Sequence, residues 1–141
     1  MRRPALALAT LLMSLAALPA LAGGRPIPLV EVIDAPLAWQ NGSAGKLADV
    51  QAAVIAGCVV KGWVPQAQAP DRVHAVLTRP DYRAEIDITY TTTTISIKYA
   101  DSQGLDWNPD KRLIHRNFNR WLTLLLQAIN METVRSRPAS G

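Results

Sequence analysis

Ser102, His115 and a nearby carboxylate are the residue types from which a nucleophile, its base and an orienting group are built. Asp101 and Asp106 supply the carboxylates, and all four residues fall near the stretch leading into the last helical pattern. A small hydrolase or transferase would use them that way. The competing reading has Asp101 and Ser102 making turn hydrogen bonds while His115 ties the loop to the helix. No Gly-x-Ser-x-Gly elbow surrounds the serine, so the second reading is preferred and no catalytic residue is assigned. Glu85 and Asp87 share a strand face and are the carboxylates a glycosidase pair would need, but Arg83 and Lys98 flank them. Ion pairing on a solvated sheet accounts for the two acids more simply. Metal binding needs three or four convergent ligands. The chain has two histidines, His74 and His115, one cysteine, and no ligand spacing of a known type. No metal and no cofactor is expected. Arg112, Arg116 and Arg120 recur every four residues, one stripe of a helix. Such a stripe suits anionic lipid headgroups, peptidoglycan or an acidic partner, or is simply a solvated helix face.

The elements that must position these residues follow from periodicity. Leu47, Val50, Val54 and Cys58 fall at helical spacing, with Ile55 and Val59 widening the stripe, so a helix is predicted from about Lys46 to Lys61. Ser43 is its expected N-cap and Gly62 the residue past its end. Trp63 to Gln68 is a short strand candidate. Val73, Ala75 and Leu77, then Ala84, Ile86, Ile88 and Tyr90, then Ile95, Ile97 and Tyr99 alternate with polar neighbours. These are half-buried strands, and the short turns at Arg79-Pro80-Asp81 and in the threonine run make them an antiparallel meander. Asn108-Pro109-Asp110 is a helix-start signal. Ile114, Phe118, Trp121, Leu122, Leu125 and Ile129 form the apolar stripe that follows it. The predicted fold is α+β: a meander of three to four strands with two helices on one face, in α-β-β-β-β-α order, a two-layer sandwich. Leu29 to Ile33 is β-prone and reads as an edge strand or an extended arm.

The ends and the composition bound the class. Met1-Arg2-Arg3, the apolar run from Ala5 to Leu18, and small residues at Ala20 and Ala22 form the three parts of a secretory signal, with cleavage after Ala22. The run is shorter than the roughly 20 apolar residues that a spanning helix needs. Gly follows Ala22 where a lipoprotein would have Cys, so a periplasmic, unlipidated protein without a transmembrane segment is expected. Residues 1–22 are thus read as signal peptide, 23–45 as an extended leader, 46–132 as one domain and 133–141 as a flexible tail. With Arg2 and Arg3 removed from the 15 Lys and Arg, 13 remain against 11 Asp and Glu. That near-balance excludes the electrostatic footprint of a nucleic-acid binder. Cys58 is the only cysteine and falls among Val54, Ile55 and Val59, so burial is expected for it.

Gly62-Trp63, Arg79, the alternation from Ala84 to Tyr90, Ser96-Ile97-Lys98-Tyr99, Asp101-Ser102, Leu105, Ile114-His115, Asn119 and Trp121 together resemble a family of small, uncharacterised Gram-negative envelope proteins. The set spans about half the chain. Many of that family look like outer-membrane lipoproteins, and the Gly after Ala22 departs from that pattern. The resemblance implies no activity. It singles out Ser102, His115 and Asn119 as a polar group around the final loop, and with Asp101 these are the candidate binding residues. The function expected is a non-enzymatic module that binds an envelope component or supports an assembly. The rival readings are the Ser102/His115 hydrolase and the arginine-stripe contact.

Overall fold

The strands form where the period-two alternation puts them, and every pairing in the main sheet is antiparallel. The structure is a computed structural model that describes residues 24–136. The signal sequence, its cleavage site at Ala22 and residues 137–141 lie outside the described residues. The chain order is β1 (Ile27–Pro28), β2 (Val32–Pro36), a 3-10 turn at Gln40–Gly42, α1 (Leu47–Val60), β3 (Val64–Ala69), β4 (Arg72–Arg79), β5 (Tyr82–Tyr90), β6 (Thr94–Gln103), β7 (Leu113–Ile114) and α2 (Asn117–Arg135). One sheet has the order β2-β6-β5-β4-β3, and β1 pairs with β7 in a two-stranded ribbon. Val73, Ala75, Leu77, Ala84, Ile86, Ile88, Ile95 and Ile97 are buried on one face, beneath Val50, Val54, Phe118, Leu122, Leu125 and Ile129 of the helices. This is the α+β sandwich that the periodicity predicts.

The tight turn at Pro80-Asp81 pairs Arg79 with Tyr82 and so fixes the β4–β5 register, with Ala75 opposite Ile86 and His74 opposite Asp87. Between β5 and β6 a bulge intervenes: Ile86 faces Tyr99, while Glu85 faces Asp101, with Ala100 as the extra residue. Both edges of the sheet are blunted. β3 carries Pro65 and a register shift near its end, and β2 carries Pro36 and Asp34, whose φ is +46° beside another shift. Proline removes a donor, and a bulge bends the strand away from a would-be partner.

Several expectations need correction. Ser43 does not cap α1. It follows the 3-10 turn in extended conformation, and Lys46 occupies the cap, its N–H donating to Asp49 Oδ2 at 2.8 Å. At the other end Gly62, at φ +84°, closes the helix as expected, with Gly62 N–H donating to Val59 O and Trp63 N–H to Cys58 O. Val59 is 62% exposed rather than part of the buried stripe. It lies nine residues beyond Val50 and therefore half a turn round the axis. The edge strand expected within the extended leader is present as β2, set at Val32–Pro36 rather than at residues 29–33. The tail does not begin at residue 133: α2 runs to Arg135, and buried Thr133 donates its hydroxyl to Ala38 O.

The largest correction concerns the start of α2. Asn108-Pro109-Asp110 makes a turn instead of a helix. Asn108 Oδ1 accepts from Lys111 N–H at 3.1 Å, Asn108 and Leu113 exchange backbone hydrogen bonds, and Arg112 takes a φ of +51°. An asparagine that bonds its own following backbone competes with the helix. Here the turn wins because it delivers Leu113 and Ile114 to pair with Pro28 and Ile27.

Cys58 is fully buried on α1, and that burial pushes its thiol up to about 12. The native protein is expected to resist thiol-reactive dyes until it unfolds, as the time course of labelling with and without denaturant would show. Immediate labelling of the folded chain would contradict this placement.

Candidate functional site

The residues read as a catalytic or binding loop are engaged in separate hydrogen bonds. Asp101 and Ser102 belong to β6, not to a loop. Ser102 Oγ is 2.7 Å from the Tyr99 hydroxyl, and Ser102 N–H donates to Asp101 Oδ1 at 2.8 Å. Burial raises the Tyr99 pKa, so the phenol keeps its proton and offers Ser102 no base. His115 precedes α2, and its Nδ1 accepts the Asn117 N–H at 3.2 Å. That bond satisfies a free donor of the first helical turn, the work of an N-terminal cap. No hydrogen bond joins Ser102 to His115. Asn119 is turned toward the N-terminal segment, where its Nδ2 donates to Pro28 O at 3.0 Å and its Oδ1 accepts from Val30 N–H at 2.8 Å. Further along α2, Asn130 Oδ1 accepts from Ala38 N–H and Thr133 bonds Ala38 O. Together these side chains lash residues 28–38 alongside α2.

The arginine stripe does not exist. Since α2 begins at Asn117, Arg112 lies in the preceding turn, Arg116 just before the helix, and only Arg120 within it. Arg112 bonds Glu31 Oε1 at 3.1 Å and stands 5.8 Å over the Trp107 ring. Glu31, which periodicity does not single out, also accepts the Tyr99 N–H at 2.8 Å and so closes the β6 edge where β2 stops.

What the fold does bring together is a charged cluster on the sheet face away from the helices. His74 on β4 lies between two carboxylates of β5, with Nδ1 2.9 Å from Asp87 Oδ1 and Nε2 3.0 Å from Glu85 Oε1. Arg72 reaches Asp87 Oδ2 and Arg83 reaches Glu85 Oε2, each at 3.3 Å. Each carboxylate thus gives one oxygen to the imidazole and the other to a guanidinium. The His74, Glu85 and Asp87 side chains are 21%, 17% and 28% exposed, which is low for charged groups on an uncovered sheet. The hydrogen bond to Asp87 raises the His74 pKa, against an opposing effect of burial. Burial alone would lift the Asp87 pKa, but the His74 hydrogen bond and the Arg72 charge outweigh it and hold the carboxyl below its usual range. The alternation in the sequence places His74, Arg83, Glu85 and Asp87 on this face, while Arg72 is not singled out. The pairing of His74 with both acids, rather than of the acids with Arg83 and Lys98, depends on the β4–β5 register.

With both ring nitrogens engaged, His74 has no lone pair free for a metal or for proton abstraction. No group of three or more His, Cys, Asp or Glu side chains among the described residues is arranged to hold a metal ion. At one end of the same face a polar notch of about 230 Å³ is lined by Asp34, Asp71, Thr89, Thr94 and Ser96. Comparison with protein-family models, curated proteins and solved structures found no match to the chain.

Proposed function

We propose that this chain is a non-enzymatic, exported protein of a Gram-negative cell envelope that binds another envelope component through the uncovered face of its sheet. One observation carries the reading: both helices lie on one face of a five-stranded sheet, and no described element is laid over the other. That open face displays a fixed array of charges, Arg72, His74, Arg83, Glu85 and Asp87, with exposed Lys98 and Thr89 beside it. Side chains already paired lose little further freedom on binding, so such a surface recognises a polar partner at low entropic cost.

The three-part N-terminal pattern and the resemblance to small envelope proteins support the exported location. Among the described residues, no helix is long and apolar enough to cross a membrane. The hydrolase reading gains no support from the geometry, because Ser102 faces a protonated phenol and the His115 Nδ1 is held by a backbone N–H.

The test uses exposed positions outside the ion-pair cluster. Thr89→Arg with Lys98→Glu is expected to leave the thermal midpoint in place and to weaken capture of the envelope component by about tenfold or more, a loss of about 1.4 kcal/mol. Gln127→Glu on the exposed side of α2 should leave capture unchanged. Equal weakening by both sets would place the contact elsewhere.

A further inference from the structure

The imidazole of His74 makes two contacts that a neutral ring cannot both satisfy. Asp87 Oδ1 and Glu85 Oε1 are acceptors when ionised, so both contacts are hydrogen bonds only if both ring nitrogens carry hydrogen. A neutral ring would set one bare lone pair against a carboxylate oxygen about 3 Å away, a repulsive arrangement. We propose that His74 is a protonation-controlled clamp: as the imidazolium it ties β4 to two positions of β5, and on losing its proton it releases one carboxylate and leaves the open face more acidic.

Charged groups on β4, β5 and β6 surround the ring. On β4, Arg72 sits two residues away and is engaged by the far oxygen of Asp87. On β5, Arg83 is engaged by the far oxygen of Glu85. Opposite His74 on β3 stands Gln66, which is uncharged. On β6, one strand beyond, Lys98 is opposite Asp87 and Asp101 is opposite Glu85, so those two charges offset each other. The cations disfavour a protonated ring, but each is bound to a carboxylate and lies farther off. The two carboxylates touch the ring directly, and at short range in a half-buried site contact dominates.

The sign follows from the raised His74 pKa. The clamp's contribution is complete below the unfolded value of about 6.5 and is lost as pH climbs through the higher folded value. Asp87, held low, stays ionised across that window. The device is a property of the folded chain and stands whether or not the open face is the binding surface.

The test is an NMR titration of the His74 ring in a His115→Gln background, which removes the other imidazole. The midpoint is expected above 6.5, and Asp87→Asn and Glu85→Gln should each lower it, together reducing proton affinity by tenfold or more. A midpoint at or below 6.5, or one that neither substitution moves, would overturn the clamp. A second reading needs no NMR: the thermal midpoint of the parent should exceed that of His74→Gln by more at pH 5.5 than at pH 8.5. An equal difference at both values would show an ordinary packing contact instead.

Discussion

Replacing Phe118 with alanine is expected to destabilise the domain by about 3–5 kcal/mol, the range for emptying a fully buried aromatic site. Phe118 is the second residue of α2, is completely buried, and meets Tyr99 and Trp121 edge-on at centroid distances of 5.7 and 6.2 Å. Those neighbours are themselves stacked, Tyr99 on Trp107 at 4.2 Å and Trp121 on Tyr82 at 5.0 Å. One ring therefore joins β5, β6, the loop after β6 and the start of α2. Chain relaxation cannot easily fill the gap, because four elements would have to move together. A loss of this size is a large share of a typical 5–15 kcal/mol stability and should lower the thermal midpoint by about 10 °C or more. Chemical denaturation followed by circular dichroism measures it. A loss under about 1 kcal/mol would show that this ring is not the junction described.

The second large effect is at Gly57, where α1 crosses α2. A Cβ at this position would sit 2.7 Å from Ile129 Cγ1, 3.0 Å from Ile129 N and 3.1 Å from its Cα. The side-chain atom could yield, but the backbone of α2 could not without the helices parting. Gly57→Val should therefore cost on the order of 3 kcal/mol, at the upper end for overpacking. Gly57→Ala should cost less, since its gain in helix propensity of about 1 kcal/mol offsets part of the clash. Denaturation midpoints of the two variants would check the order. A stabilised Gly57→Val would mean that the helices do not approach as closely as this contact requires.

The sheet is legible from the sequence because its buried face repeats every second residue and its β4–β5 hairpin closes through Pro80-Asp81. That same turn sets His74 opposite Asp87, so the charged cluster was within reach of a register argument. The start of α2 was not. Asn108, Pro109 and Asp110 suit a helix start and a turn equally well, and the choice is made by Ile27 and Pro28, some eighty residues away. The arginine periodicity was a by-product of that misplacement. Asn119 is marked in the sequence only by the family resemblance, and Asn130 and Thr133 are silent there. Their hydrogen bonds go to backbone groups of residues 28–38, and polar residues on a helix ordinarily signify only a wet face.

Occupation of the open sheet face is tested most directly by position-specific photo-crosslinking in living cells, with a photoreactive residue at Thr78, Thr89 or Lys98 on the sheet and at Ala52 or Gln127 on the helices. All five positions are exposed. One common adduct is expected from the three sheet positions, and none of that mass from the helix positions. The same adduct formed from Ala52 or Gln127, with the sheet positions unreactive, would contradict it.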